Sequence, residues 1–346
     1  MSILSGVSEF FGLDIGTTAV RLVELHNSGK SKALVKYAYV PLDSTIAMSD
    51  AKGDQQKLAQ AIKDLVEQSK VTTRNVAVGL PSQRVFTTVV DIDRLSEQEI
   101  AKTILYQADS LIPTPMADSK IDWAVLGDSP KDKSKVEVLL TSVTNDFIEA
   151  RLDMLESIGL NVIAFEPDHL AMSRAVIPFD VAAPQMVIDI GNKATDIVVS
   201  MNGAPHLARA IPTGSEAIIK AAIQNLSIDE KQAQQFVNKF GLSKDKLEGQ
   251  IYNAIIGTID ILVGEIEKSI KFFQSRYPEA KIERIIMTGG ASSLPDFPLY
   301  IANKFGLNVE IGNAWRNVSF PADRQNELLA ASNHFGVAAG LAERDA

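Results

Sequence analysis

The chain has 346 residues, enough at roughly 100 to 200 residues per domain for two or three domains whose cores need no covalent staples. It has no cysteine, which excludes disulfides, thiolate metal sites and cysteine nucleophiles, and its four histidines (His26, His169, His206, His334) lack ligand spacing, so a metal must bind through oxygen. Its 34 basic and 43 acidic residues leave a charge of -9, which argues against a nucleic-acid partner.

At the N-terminus, Ile3, Leu4, Val7, Phe10 and Phe11 sit at helical spacing with only Glu9 charged, so a short helix docking on its own domain is expected rather than a membrane anchor. No secretory signal pattern follows, and a cytoplasmic location is expected. Strands are predicted at 11–16, 19–26 and 33–40, a helix at 54–69 and a strand at 75–80, an α/β pattern. The order then changes: strand 84–91, helix 96–110, strands 121–127 and 136–143, and helix 145–158 read as an inserted α+β module. In helix 96–110 and its end, Ile100, Ile104 and Leu111 form a stripe expected to pack inside that module.

A strand at 162–165 and a helix behind Pro167 return to the first unit, and the stretch from Pro178 to Pro184 reads as a connector. Beyond it come strands 186–190, 195–201 and 206–212, helices 215–225, 229–239 and 247–275, strand 284–288, helix 295–305, strand 308–311 and a terminal helix 326–343. The apolar part of the long helix, Ile255 to Ile266, carries Asp260 and Glu265 and is too short and too charged to span a membrane.

The most informative feature is a gapless self-match at an offset of 175. Gly12-Leu-Asp-Ile-Gly-Thr-Thr-Ala-Val-Arg-Leu-Val23 aligns with Val187-Ile-Asp-Ile-Gly-Asn-Lys-Ala-Thr-Asp-Ile-Val198, with Asp14/Asp189, Ile15/Ile190, Gly16/Gly191, Ala19/Ala194 and Val23/Val198 identical. Each half carries an apolar strand, an Asp at its end, a glycine-led turn and a second strand, which predicts a duplication with pseudo-twofold symmetry. A glycine-led turn lets backbone N–H groups converge on an anion, and Thr17 and Thr18 add donors without bulk. An Asp at the strand end suits Mg²⁺ held through water beside phosphates. A third turn, Ile285-Ile-Met-Thr-Gly289-Gly290-Ala-Ser-Ser293, repeats the logic and raises the expectation of a nucleotide.

At these residues the sequence resembles the actin, Hsp70 and sugar kinase superfamily. Gly12 to Thr18 is similar to its first phosphate loop, Ile188 to Asp196 to its second, and Met287 to Ser293 to its adenosine loop. Phe165-Glu-Pro-Asp-His-Leu-Ala171 and Phe335-Gly-Val-Ala-Ala-Gly-Leu341 resemble its two connecting helices. The 83–160 module resembles the 1C subdomain of the FtsA-like branch, and the length resembles the PilM family of type IV pilus assembly proteins. The resemblance implies an actin-like fold, two ribonuclease H-like halves around a nucleotide cleft with an inserted α+β 1C-type subdomain. It divides the chain into a first half at 1–82 and 161–183, the insert at 83–160, a second half at 184–213 and 282–346, and a helical 2B-type subdomain at 214–281.

By the same resemblance the protein is expected to bind ATP and Mg²⁺ and to grip the N-terminal cytoplasmic tail of PilN, joining an inner-membrane platform to motor ATPases. Contact with the membrane would then run only through partners, and homo-oligomers are compatible with it. Asp14, Gly16, Thr17 and Thr18 would hold phosphates on one side and Asp189, Gly191 and Asn192 on the other, with Asp14 and Asp189 in the Mg²⁺ shell. Gly289, Gly290 and Ala291 would face the nucleoside, and Gly214 matches one glycine of the usual double-glycine turn. Lys193 reaches either a phosphate or solvent. Glu265 and Lys268 resemble the superfamily's purine and ribose contacts but equally fit a solvated helix pair. Glu166 is either a residue that orients an attacking water or a helix N-terminal acid, which leaves ATP hydrolysis open. A sugar kinase and an FtsA-like filament former of the same superfamily are the alternatives.

Overall fold

The computed structural model describes residues 9–28 and 31–345. The first part forms β1 (Phe11–Ile15), β2 (Ala19–Ser28), β3 (Ser31–Pro41), α1 (Lys52–Ser69) and β4 (Asn75–Leu80). The insert follows with β5 (Val85–Asp93), α2 (Glu97–Leu111), β6 (Ser119–Asp128), β7 (Lys135–Thr144) and α3 (Asn145–Ser157), and β8 (Asn161–Pro167) and α4 (Asp168–Val176) lead out of it. The second part forms β9 (Gln185–Ile190), β10 (Thr195–Met201), β11 (Ala204–Ile211), α5 (Ser215–Leu226), α6 (Glu230–Phe240), α7 (Gln250–Arg276) and β12 (Arg284–Thr288). It closes with α8 (Phe297–Phe305), β13 (Asn308–Ile311), β14 (Val318–Ser319), α9 (Gln325–Ala331) and α10 (Gly336–Ala342).

Two sheets carry the same plan. One runs β14-β3-β2-β1-β4-β8 and the other β11-β10-β9-β12-β13, so that β3-β2-β1-β4-β8 matches the second sheet strand for strand. In each, the first three strands are antiparallel neighbours and the last two run parallel to the central one. All five residues of β1 are buried, as a strand covered on both faces requires. Helices α4 and α10 fill the space between the sheets. Their Met172, Ala175, Ala338 and Ala339 share one core with Val23 of the first sheet and Val187 and Ile286 of the second. At Gly340 a Cβ would fall 1.7 Å from the Ala171 carbonyl oxygen, so only glycine allows the two helices to pack this closely.

The insert's sheet, β5-β7-β6, buries Ile92, Val136, Val138 and Leu140 against Ile100 and Ile104 of α2, with Leu111 partly buried beside them, in a core of its own. Helix α3 packs differently: its Met154 and Leu155 enter the core of the first half together with Leu58, Ile62 and Val76. The stretch 83–160 therefore divides by packing, with its sheet and α2 forming one body and α3 lying in the other.

Two expectations need correction. The terminal helix 326–343 is broken into α9 and α10 by a short 3₁₀ turn at Ser332–His334, because the turn's backbone is tied elsewhere: the Asn333 carbonyl accepts from Gly289 N at 3.1 Å. At the N-terminus, Phe11 begins β1 and Phe10 is buried against Ala77 and Leu341 rather than lying on a helix, while Ile3, Leu4 and Val7 fall outside the described residues.

Candidate functional site

The two halves face one another across a cleft of about 900 Å³, within the range of small-molecule sites. Its floor is the duplicated hairpin. Asp14 and Asp189 stand one residue before the ends of β1 and β9, and the turns that follow bring Gly16, Thr17 and Thr18 to one wall and Gly191, Asn192 and Lys193 to the other. The cross-strand partners differ. Asp14 lies opposite Arg21 and pairs with it at 3.2 Å, whereas Asp189 lies opposite Asp196.

A fourth carboxylate, Asp168 at the start of α4, joins these three in the cleft wall. Burial is the main cause pushing all four up. It outweighs Arg21 at Asp14. At Asp189, burial with Asp196 and Asp14 nearby raises the carboxyl to about 7, and burial, opposed by a Ser82 hydrogen bond, raises Asp196 to about 6. Asp168 is pushed well up by burial and then by Asp14, Asp196 and Asp189 together. Asp168 Oδ1 and Asp196 Oδ1 have no hydrogen-bond partner among the described residues. Ser82 Oγ donates to Asp196 Oδ2 at 2.8 Å and accepts from His169 Nδ1 at 3.1 Å. Burial lowers His169 to about 4, so the ring is neutral at pH 7.

This donor set fits a hard divalent cation, which would relieve the mutual repulsion of the acids. No three of the His, Asp and Glu side chains among the described residues come together closely enough to wrap a metal by themselves, so an ion here would need water or phosphate oxygens to complete its shell.

The third turn closes the site. Gly289 has φ +83°, and a Cβ there would lie 2.3 Å from Asp189 Oδ1 and 2.5 Å from the Ile190 carbonyl oxygen, so glycine is required both by conformation and by contact. Gly290 and Ala291 follow it along the cleft. Opposite them, Ile219 and Ile223 of α5 and Val237 of α6 give an apolar wall with Gln234 and Asn238 at its edge, the mix that suits a planar base.

Four of the residues singled out in the sequence lie elsewhere. Gly214 is behind the second turn, where a Cβ would meet the Gly191 and Asn192 carbonyl oxygens at 2.5 Å; it lets Ser215 N reach Gly191 O at 2.9 Å and so seats α5 on that turn. Glu265 and Lys268 are not cleft residues: they pair at 2.6 Å on α7, and Arg209 holds Glu265 from the other side at 3.1 Å. The helices that do wall the cleft are α5 and α6, together with α4 and α10. Glu166 is turned away from the cleft into ion pairs with Arg174 and with Arg344, the latter at 2.7 Å. Although burial raises its carboxyl, the two arginines win and hold it below the usual range, so it stays ionised and tied.

Lys193 does line the cleft, but its ammonium pairs with Glu216 at 2.5 Å, and Lys220 binds the same carboxylate. The residues missed by sequence reasoning are Asp168, Asp196, Ser82 and the α5–α6 wall. Asp196 was within reach, since it stands 175 positions after Arg21 in the repeat.

The family model described as Type IV pilus assembly protein PilM matches residues 12–346. Among curated proteins, the cell division protein FtsA of Neisseria meningitidis serogroup B is 25% identical over 303 residues, 74% of this chain and 71% of that protein. Among solved structures, a chain of a PilM-PilN type IV pilus biogenesis complex superposes with a TM-score of 0.83 at 24% identity, covering 97% of this chain and 98% of that one. MreB5 of Spiroplasma citri bound to AMPPNP superposes with a TM-score of 0.55 at 13% identity, covering 96% and 95%. The fold is therefore actin-like, with the duplicated halves that the repeat predicts. No helix among the described residues is long and apolar enough to cross a membrane.

Proposed function

The chain belongs to the family of the type IV pilus assembly protein PilM, and on that premise we propose that it is a cytoplasmic ATP-binding adaptor of the pilus inner-membrane platform. Its partner is the N-terminal cytoplasmic tail of PilN, and through it the chain links the platform to the motor ATPases. The observation that carries the reading is the match of that family over residues 12–346. The cleft supports the nucleotide part. Gly16 to Thr18 and Gly191 to Lys193 take the phosphates, Asp14 and Asp189 take Mg²⁺ through water, and Gly289 to Ala291 with the α5–α6 wall take the nucleoside. The role of orienting a water falls in this reading to Asp168, which lines the cleft, rather than to Glu166, which does not.

Nucleotide acts first as a structural ligand. At a concentration a hundredfold above Kd it adds about 2.7 kcal/mol to stability without turnover. The tail docks near the insert, where an extended peptide added to a sheet edge gains backbone hydrogen bonds for affinity and side-chain pockets for register.

The test is a calorimetric titration of the PilN tail peptide into the protein with and without Mg-ATP. Saturable heat supports the adaptor, and heat that depends on nucleotide shows that the two sites are linked. Absence of heat in both states rejects the tail as partner. Phosphoryl transfer that rises with an added sugar would replace the adaptor with a kinase.

A further inference from the structure

The insert is joined to the first half by the chain itself, through the turn Ser82–Arg84 on one side and α3 on the other. Its sheet, however, is fastened to the second half. Glu137 of β7 is 2% exposed and accepts from Arg276 Nε at 2.8 Å and from the Tyr277 hydroxyl at 2.7 Å, both at the end of α7. Arg276 also pairs with Asp91 of β5 at 2.8 Å. His206 of β11 completes the cluster, its Nε2 3.9 Å from Glu137 and its ring edge-on to Tyr277 at 5.5 Å. Tyr277 is itself part of the second half's core, so the anchor is rigid on that side. At the cleft, the bond from Ser82 to Asp196 of β10 ties the turn that joins the insert to the first half, rather than the insert's sheet, to the second half.

We infer that the Glu137–Arg276–Tyr277 cluster is a strap that makes the insert's sheet follow the second half when the cleft narrows around a ligand. A buried carboxylate stripped of its partners is left uncompensated, so the cluster moves as a unit rather than parting. Movement is taken up where the insert meets the first half. There Arg84, in the connecting turn, lies over the Phe147 ring of α3 at 5.3 Å and holds the Met48 carbonyl oxygen and the exposed Asp50, while the insert meets α3 through the exposed pair Lys120–Glu149 at 3.7 Å and through Asn145 Nδ2, which donates to the Ala117 carbonyl oxygen at 3.0 Å. A narrowing of the cleft thereby changes the angle between the insert's sheet and α3. Resting on the adaptor reading, this places the docking region of the tail under the control of the nucleotide.

The test uses the full chain with Mg²⁺ and a non-hydrolysable ATP analogue as the probe. Hydrogen exchange of the amides in 85–144 is followed with and without the analogue, in the wild type, in Glu137→Gln with Arg276→Gln, which removes both charges together, and in the milder Tyr277→Phe. In the wild type the analogue is expected to change exchange in that segment about fivefold or more, and the Kd of the tail peptide by a similar factor. In the double variant the analogue binds with unchanged Kd, but both responses fall below about twofold, with Tyr277→Phe between. A cooperatively folded variant that keeps the wild-type response overturns the strap, and so does a wild type that binds the analogue with no change in the insert. Should the double variant not fold, Tyr277→Phe decides by the same criterion. A chain that transmits the exchange change but gives no heat with the tail rejects the partner and leaves the strap standing.

Discussion

The hairpins β1–β2 and β9–β10 have the same length of turn, the same register and the same place in their sheets, yet opposite electrostatics. In the first, the strand-end Asp14 meets Arg21 across the ladder; in the second, Asp189 meets Asp196, at the position that corresponds to Arg21 in the repeat. Like charges directly opposite in a sheet repel, and the protein has kept the geometry of the duplication while replacing the counter-charge. The first hairpin is thus complete in itself. The second has no cation in its own ladder, and Arg21 of the first hairpin, which also acts on Asp189, is outweighed there by burial and the neighbouring acids.

The sharpest way to break this comparison is to substitute the paired positions and look for opposite signs. Arg21→Ala leaves Asp14 buried without its partner and is expected to destabilise the ligand-free chain by about 3 kcal/mol in urea unfolding at pH 8. A loss below about 1 kcal/mol would mean that Asp14 simply takes up a proton and that the pair is not structural. The third turn leans on only one hairpin, which gives the next effect. Gly289→Ala drives a Cβ into Asp189 and the Ile190 carbonyl at a positive φ and is expected to cost about 2 kcal/mol. Gly16→Ala, whose Cβ would meet Arg21 Nη1 at 2.9 Å and the Ala19 carbonyl oxygen at 3.1 Å but at no positive φ, is expected to cost clearly less. Equal losses would show that the first turn is as tightly supported as the second.

Asp196→Asn supplies the opposite sign. It removes one of two facing acids while keeping an acceptor for Ser82, and the ligand-free chain is expected to gain about 1 kcal/mol at pH 8, because burial raises Asp196 itself and Asp196 in turn raises Asp189. The same variant should weaken the Mg²⁺-dependent part of nucleotide binding. A loss of stability instead would show that the bond to Ser82 matters more than the repulsion.

What was legible beforehand follows the range of the interactions. The strands and the two glycine turns are local and gapless in the repeat, so Asp14 and Asp189 could be assigned to matching strand ends. The helix lining the cleft could not be chosen, because Glu265 and Lys268 have helical spacing whichever way α7 faces, and their partner Arg209 lies 56 positions from Glu265. Glu166 and Asp168 are two residues apart at a strand-to-helix junction, and the choice between them rests on Arg344, which is 178 positions away from Glu166. The break at Ser332–His334 likewise depends on a distant donor, Gly289, and the apolar periodicity through 326–343 carries no trace of it.

The smallest effect isolates the second hairpin by pH. Asp189 titrates at about 7 in the folded chain and near 3.8 when unfolded, so between those values the folded state holds the extra proton and stability falls as pH rises, the loss being complete above 7. His169, lowered to about 4, acts in the other direction, but only up to its unfolded value of 6.5. Glu343, raised by burial to about 8, adds a further loss across the same range. The window from pH 6.5 to 8 therefore excludes His169, and the difference between wild type and Asp189→Asn within it removes Glu343 and reads Asp189 together with the part of the Asp168 rise that Asp189 causes. The wild type is expected to lose about 1 kcal/mol more than the variant across that window. Saturating Mg²⁺ with nucleotide should abolish the difference, because the cation then supplies the charge that Arg21 gives to the first hairpin. Parallel pH profiles in the absence of ligand would mean that Asp189 is already ionised at pH 6.5, and the two hairpins would then differ in sequence but not in their need for a counter-ion.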